Sequence, residues 1–220
     1  MSFGSGHTSA YPITVTIGAL AVCAAWAPFG TLDQVGAIVA VALGVVGYTG
    51  YRLAVAFGVL PFRRSDTART VRVTRVRQQH RLVSRSWLQI EGTGRPRWLP
   101  VYFDPALITL TATRAEITDR TIHVAGRRLY PSGRLREAEP PGRLVDNPSR
   151  PDPDAPAHIV QVTRLRRRLL LDAQSTVAAP IAALLWVYID GGGFPAFLAA
   201  TTIAAACSIW LSAIRGSDPT

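Results

Sequence analysis

Residues 62–91 read FRRSDTARTVRVTRVRQQHRLVSRSWLQIE. Arginine and small polar residues alternate with Val, Leu, Ile and Trp at period two, the pattern of half-buried β-strands. Two strands follow, Thr70–Arg77 and Leu82–Glu91. The stretch opens a middle segment, Phe62 to Leu169, that holds 22 of the 24 basic residues, all of them arginine, against ten acids, a local balance of +12. On either side lie long apolar runs, Tyr11 to Leu60 and Leu169 to Ile214. A basic β-rich insert between apolar runs predicts an α+β membrane protein, with two transmembrane hairpins flanking a small, predominantly β domain.

Composition supports this. In 220 residues, 48% hydrophobic content and a mean hydropathy of +0.19 are high for a soluble protein. A pI near 10.9 would suggest nucleic acid in a soluble chain. Here arginines beside membrane spans are accounted for first by topology and by anionic lipid. The aromatic residues between them are needed for the core of a small domain, so no nucleic acid is expected. Cys23 and Cys207 fall inside apolar runs, without metal or redox spacing, and read as packing residues.

Four spans are expected, at Tyr11–Phe29, Val35–Ala56, Leu169–Ile189 and Phe194–Ile214, the third interrupted by Asp172, Gln174 and Pro180. Short polar tails, 1–10 and 215–220, flank them. Gly36, Ala40 and Gly44 recur every four residues, a small-residue face suited to close helix packing. Another span of the same chain is its expected partner, ahead of a second copy. Arginine gathers at the inner ends of the spans, whereas both short connections carry acid and no base. The positive-inside rule then places the middle segment and both termini in the cytoplasm, with the spans in the cell membrane.

Arg52 and Asp172 each lie seventeen residues inward from the outer ends of spans two and three, roughly 25 Å deep at 1.5 Å per residue. They are expected to pair at the inner interface, with separate snorkelling to water as the alternative. Arg63, Arg64, Arg164, Arg166, Arg167 and Arg168 are placed to contact anionic phospholipid head groups.

Within residues 61–168, further strands are expected at Trp98–Phe103, Leu107–Ala112, Glu116–Ile117 and Thr121–Val124, forming a meander or partly open barrel. Its core draws on Trp87, Leu88, Ile90, Trp98, Val101, Phe103, Leu107 and Leu110. Gly92–Pro96 and Asp119–Arg120 read as hairpin loops. Residues 140–156, with six prolines, read as an irregular loop, and His158–Val162 as a strand closing the sheet. No catalytic signature is present. Gly92-Thr93-Gly94 lacks the rest of a phosphate loop, and His80, His123 and His158 lack ligand spacing. No enzyme activity, cofactor or metal is expected.

Two stretches, Arg97-Trp98-Leu99-Pro100-Val101-Tyr102-Phe103-Asp104-Pro105-Ala106-Leu107 and Leu129-Tyr130-Pro131-Ser132-Gly133, carry a resemblance to actinobacterial membrane proteins. Together with the layout of spans, they make the chain similar to the lipid uptake coordinator (LucA) family that works with Mce lipid importers. The resemblance implies a non-enzymatic accessory subunit that stabilises a fatty-acid or sterol import complex. Its partners would be other integral membrane proteins, among them importer subunits. A lipid-binding or transport component acting directly, or a lipid enzyme with its site in loops, are the alternatives.

Overall fold

Uncharged runs of about twenty residues satisfy their backbone groups internally only as helices, and the chain obeys this at both ends. The computed structural model describes residues 7–63, 68–92, 94–146 and 155–220. The first hairpin is α1 (Ala10–Trp26), prolonged by a 3-10 turn to Phe29, and α2 (Leu32–Ala56). Thr31 starts α2 with a capping box, accepting from the Gln34 amide while the Gln34 side chain accepts from the Thr31 amide. After the sheet come α3 (Ala155–Val162), α4 (Leu165–Ala173), α5 (Ala179–Asp190) and α6 (Gly193–Ile214). A 3-10 segment, Gln174–Ala178, joins α4 to α5. It immediately precedes Pro180, which lacks an N–H and crowds the preceding turn.

Among the described residues, four helical stretches, Ala10–Phe29, Leu32–Ala56, Leu165–Asp190 and Gly193–Ile214, are long and apolar enough to cross a membrane. This is the architecture of a multi-pass membrane protein. Leu43, Ile181, Leu184 and Leu185 point outward, an arrangement that favours lipid over water. Helix α6 lies against both α1 and α5, and Tyr11, Val15, Ala19, Val45, Trp210, Ala213 and Ile214 form the contact between the two hairpins.

Among the described residues, seven antiparallel strands make the domain: β1 (Arg69–His80), β2 (Val83–Glu91), β3 (Arg97–Val101), β4 (Thr113–Ile117), β5 (Ile122–Val124), β6 (Arg127–Leu129) and β7 (Arg143–Asp146). Their order is β3-β2-β1-β4-β5-β6, with β7 also paired to β1. The chain after β6 returns along β3, through Tyr102 N to Tyr130 O, Ser132 N to Pro100 O and the reciprocal Trp98–Arg136 pair. The sheet thereby curls on itself and leaves little open edge.

One face encloses Val73, Leu88, Ile90, Leu99, Val101, Ala115, Ile117, Ile122, Val124 and Leu129, plugged by Val55, Phe62 and Leu107. Val76, Trp87 and Trp98 form a smaller cluster on the opposite face, as the pleat requires of neighbours such as Trp87 and Leu88. Phe103 is also buried, and Leu110 packs at the edge of the main core.

Three local expectations fail. Leu107–Ala112 is not a strand: Pro105–Leu107 is a 3-10 turn whose first residue follows Asp104, and the Asp104 side chain accepts from the Ala106 amide at 2.8 Å. His158–Val162 belongs to helix α3, because Ile159 and Val162 sit three apart and the chain buries Val162 on a helical face. The proline-rich stretch contains β7, while its residues 147–154 lie outside the described residues. Strand β6 was missed because Ala125 (φ 51°) and Gly126 (φ 74°) make the turn, and Ala gives little sign of a left-handed position.

The terminal residues after α6 are a clasp and not a free tail. Asp218 N donates to Ser84 O at 2.9 Å, and its carboxylate receives the Arg75 guanidinium at 2.6 Å and the Ser86 hydroxyl. Ser217 Oγ donates to Asp172 at 2.9 Å, and Tyr102 OH to Ile214 O at 3.0 Å. Gly216 (φ 84°) passes so close to Ser132 that a Cβ would lie 2.7 Å from its Oγ. The helices and the sheet are joined through this segment.

Candidate anion-binding site at the helix and sheet junction

The end of α2 abuts the outer face of β2 and β3. Cross-strand pairs set that face: Gln78 opposes Arg85, and Trp87 opposes Pro100. Between helix and strands lies a cavity of about 310 Å³ lined by Arg52, Arg85, Arg134, Arg136 and Arg215 together with Tyr48, Tyr51, Trp87, Pro100 and Gly133. Five arginines thus line one cavity, with no carboxylate among its described lining residues.

Each arginine has its own support. Arg52 donates to Tyr48 OH at 2.9 Å, and Arg215 Nε donates to the same oxygen at 3.3 Å. Arg52 lies in ordinary contact with the loop at Gly133, where a Cβ would meet Pro100 more tightly, at 3.2 Å. Arg134 lies over Tyr51 and Arg136 over Trp87, at 5.8 and 5.4 Å from the ring centroids. Arg85 is held by its strand, and its Nε is buried without a hydrogen-bond partner.

This is an electrostatically uncompensated arrangement. Burial, followed by the charges of Arg215, Arg52 and Arg136, pushes Arg85 down to about 10. Arg85 nevertheless stays cationic at neutral pH. Burial likewise pushes the Tyr102 phenol up to about 12, with Arg52 opposing. Arginine forks aimed into a partly dry cavity are suited to bind an anion through charge-assisted hydrogen bonds.

The expected pair of Arg52 and Asp172 does not form. Asp172 is buried and accepts from Tyr11 OH and Ser217 Oγ. Equal depth does not set azimuth, and α4 packs on α6, not on α2. Of the expected lipid contacts, Arg164, Arg166 and Arg167 are exposed at the start of α4. Arg168 turns inward, 3.8 Å from the Tyr11 ring centroid. Arg63 is buried, and burial, with Arg69 nearby, lowers its proton affinity. It is therefore not at the rim. Arg64 lies outside the described residues.

Gly36, Ala40 and Gly44 are all exposed, and a Cβ on Gly36 or Gly44 would meet nothing within 4 Å. The small-residue face is thus not packed against another span of this chain. Helix α2 instead buries Val45 and Thr49. At the far end of the helices, an apolar cavity of about 610 Å³ between α2 and α6 presents no charged side chain.

Arg85, Arg134, Arg136 and Arg215 were not singled out from the sequence as a site. The available signal was the run Arg127 to Arg136, in which four arginines stand among Leu129, Tyr130 and Leu135 without one acid. No protein-family model, curated protein or solved structure matches this chain.

Proposed function

We propose that the chain is a non-enzymatic integral membrane accessory protein that holds an anionic group in the arginine pocket and docks with other membrane proteins. The convergence of five arginines on one cavity, with no carboxylate among its described lining residues, carries the reading. A purely structural cluster of like charges would cost stability, and such groups are normally paired when desolvated. The excess of arginine on one side of the spans supports a cell-membrane location with the β domain and both ends cytoplasmic. The resemblance to lipid uptake coordinators supports importer subunits as the docking partners. The outward face of Gly36, Ala40 and Gly44 offers a second helix close approach.

If the pocket is kept for binding, removing its most crowded charge will stabilise the empty protein. Arg85→Met keeps the aliphatic stem and should raise unfolding free energy by about 1 kcal/mol while abolishing stabilisation by added anions. Thermal unfolding in mild detergent, with and without anionic lipid, reads both effects. A marked loss of stability in the variant, with anion stabilisation intact, would remove the reading.

Docking has its own test. Purification from the native host in mild detergent should yield a stoichiometric complex with membrane transport subunits that Gly44→Leu weakens. A monodisperse protein retaining only lipid would end the accessory role.

A further inference from the structure

The chemistry of the pocket narrows its ligand. We infer that it takes a phosphomonoester, a terminal phosphate carrying close to two negative charges, delivered at the boundary between the helices and the sheet. The inference rests on the reading of the pocket as an anion site.

Charge is the first reason. Five guanidiniums face the cavity, and Tyr48 OH accepts from two of them, Arg52 and Arg215. Two guanidiniums thus share one phenol oxygen where an anion would serve better. A phosphodiester or a carboxylate offers two charged oxygens and one negative charge. A terminal phosphate offers three oxygens and about −1.5 to −2 charges at neutral pH, which matches forks arriving from several directions.

Size is the second. A cavity of about 310 Å³ holds a phosphate with a short stem, roughly ten water volumes in all, and excludes a large head group. Position is the third. Arg52 lies one helical turn, about 6 Å, before the end of α2, and Arg215 directly follows α6. Arg134 and Arg136 are exposed at the rim, so the entrance opens beside the ends of the spans, at the level of lipid phosphates. The same phosphate could come from a lipid such as phosphatidic acid or from a soluble ester such as glycerol 3-phosphate.

The test uses the full chain in mild detergent, with dioctanoyl phosphatidic acid against dioctanoyl phosphatidylglycerol as probes. At about pH 7.5 the monoester should bind about tenfold tighter than the diester, and the gap should close towards about pH 5.5 as the second ionisation near 6 is lost. Arg85→Met and the exposed-rim variant Arg136→Ala should each weaken phosphatidic acid binding severalfold, whereas Arg72→Ala, at a surface ion pair with Glu91, should not. Displacement of phosphatidic acid by equimolar glycerol 3-phosphate would assign a soluble source, and failure to displace would assign a lipid. Equal affinity for the two lipids at both pH values, lost in both pocket variants, overturns the monoester and keeps the anion site. No binding to the unmodified protein, or binding unchanged in both variants, overturns the site itself.

Discussion

Replacing Asp218 with Ala will lower unfolding free energy by about 3–5 kcal/mol, because it takes the carboxylate away from a buried arginine. The Arg75 and Asp218 side chains are 4% and 0% exposed and meet at 2.6 Å. Removing the carboxylate also takes the acceptor from the Ser86 hydroxyl and from Thr220. The effect should appear as a fall in Tm on the order of 10 °C in detergent. Because the clasp joins the sheet to the helices, the variant should also become sensitive to proteolysis within the β domain. A Tm within a degree or two of the unmodified protein would show that the clasp contributes nothing to holding the two parts together.

The same pair predicts a pH dependence. Burial alone would raise the Asp218 carboxyl, but Arg75, aided by Ser86 and Thr220, outweighs burial and holds it below its ordinary value. Such a group contributes stability that is complete above the unfolded-state value, about 3.9. As pH falls below that, the unfolded chain takes up the proton first, and the contribution is lost as pH passes through the lower folded value. The unmodified protein and Asp218→Asn should therefore differ most at neutral pH and converge in acid.

Leu88→Ala is the second large effect, with an expected cost of about 2–5 kcal/mol from lost burial and the cavity left behind. Leu88 is fully buried on β2, between Arg75 of β1 and Leu99 of β3, at the centre of the curled sheet. Neighbouring strands cannot close over the gap without shifting the register they share. Leu82→Ala, on the exposed β1–β2 turn, should stay within about 0.5 kcal/mol. Chemical unfolding followed by Trp87 and Trp98 emission distinguishes the two. Similar losses for both variants would contradict the placement of the core.

The pocket and the clasp share residues, which ties binding to the union of helices and sheet. Arg215 lines the cavity, and the next residues, Gly216 to Asp218, make the clasp. Arg85 itself bridges to Ser217 through the backbone. Loosening the clasp should therefore misplace two of the five arginines.

Sequence alone determined the four long apolar helices, their pairing as hairpins, and the β character of the middle segment. These depend on local periodicity and uncharged length, which the chain carries in order, and Pro180 marks a break in the same local way. It also identified most of the core, since Leu88, Ile90 and Val101 follow from alternation. Tertiary structure alone decided which charges meet. Arg52 and Asp172 share a depth, but depth says nothing of azimuth, so Asp172 meets Tyr11 and Ser217, and Arg52 meets Tyr48. Gly36, Ala40 and Gly44 likewise share a face whose direction only the bundle sets, and it turns outward. The five arginines of the pocket come from α2, β2, the return along β3 and the residue after α6. No spacing in the chain brings them together; the curl of the sheet against the end of α2 does.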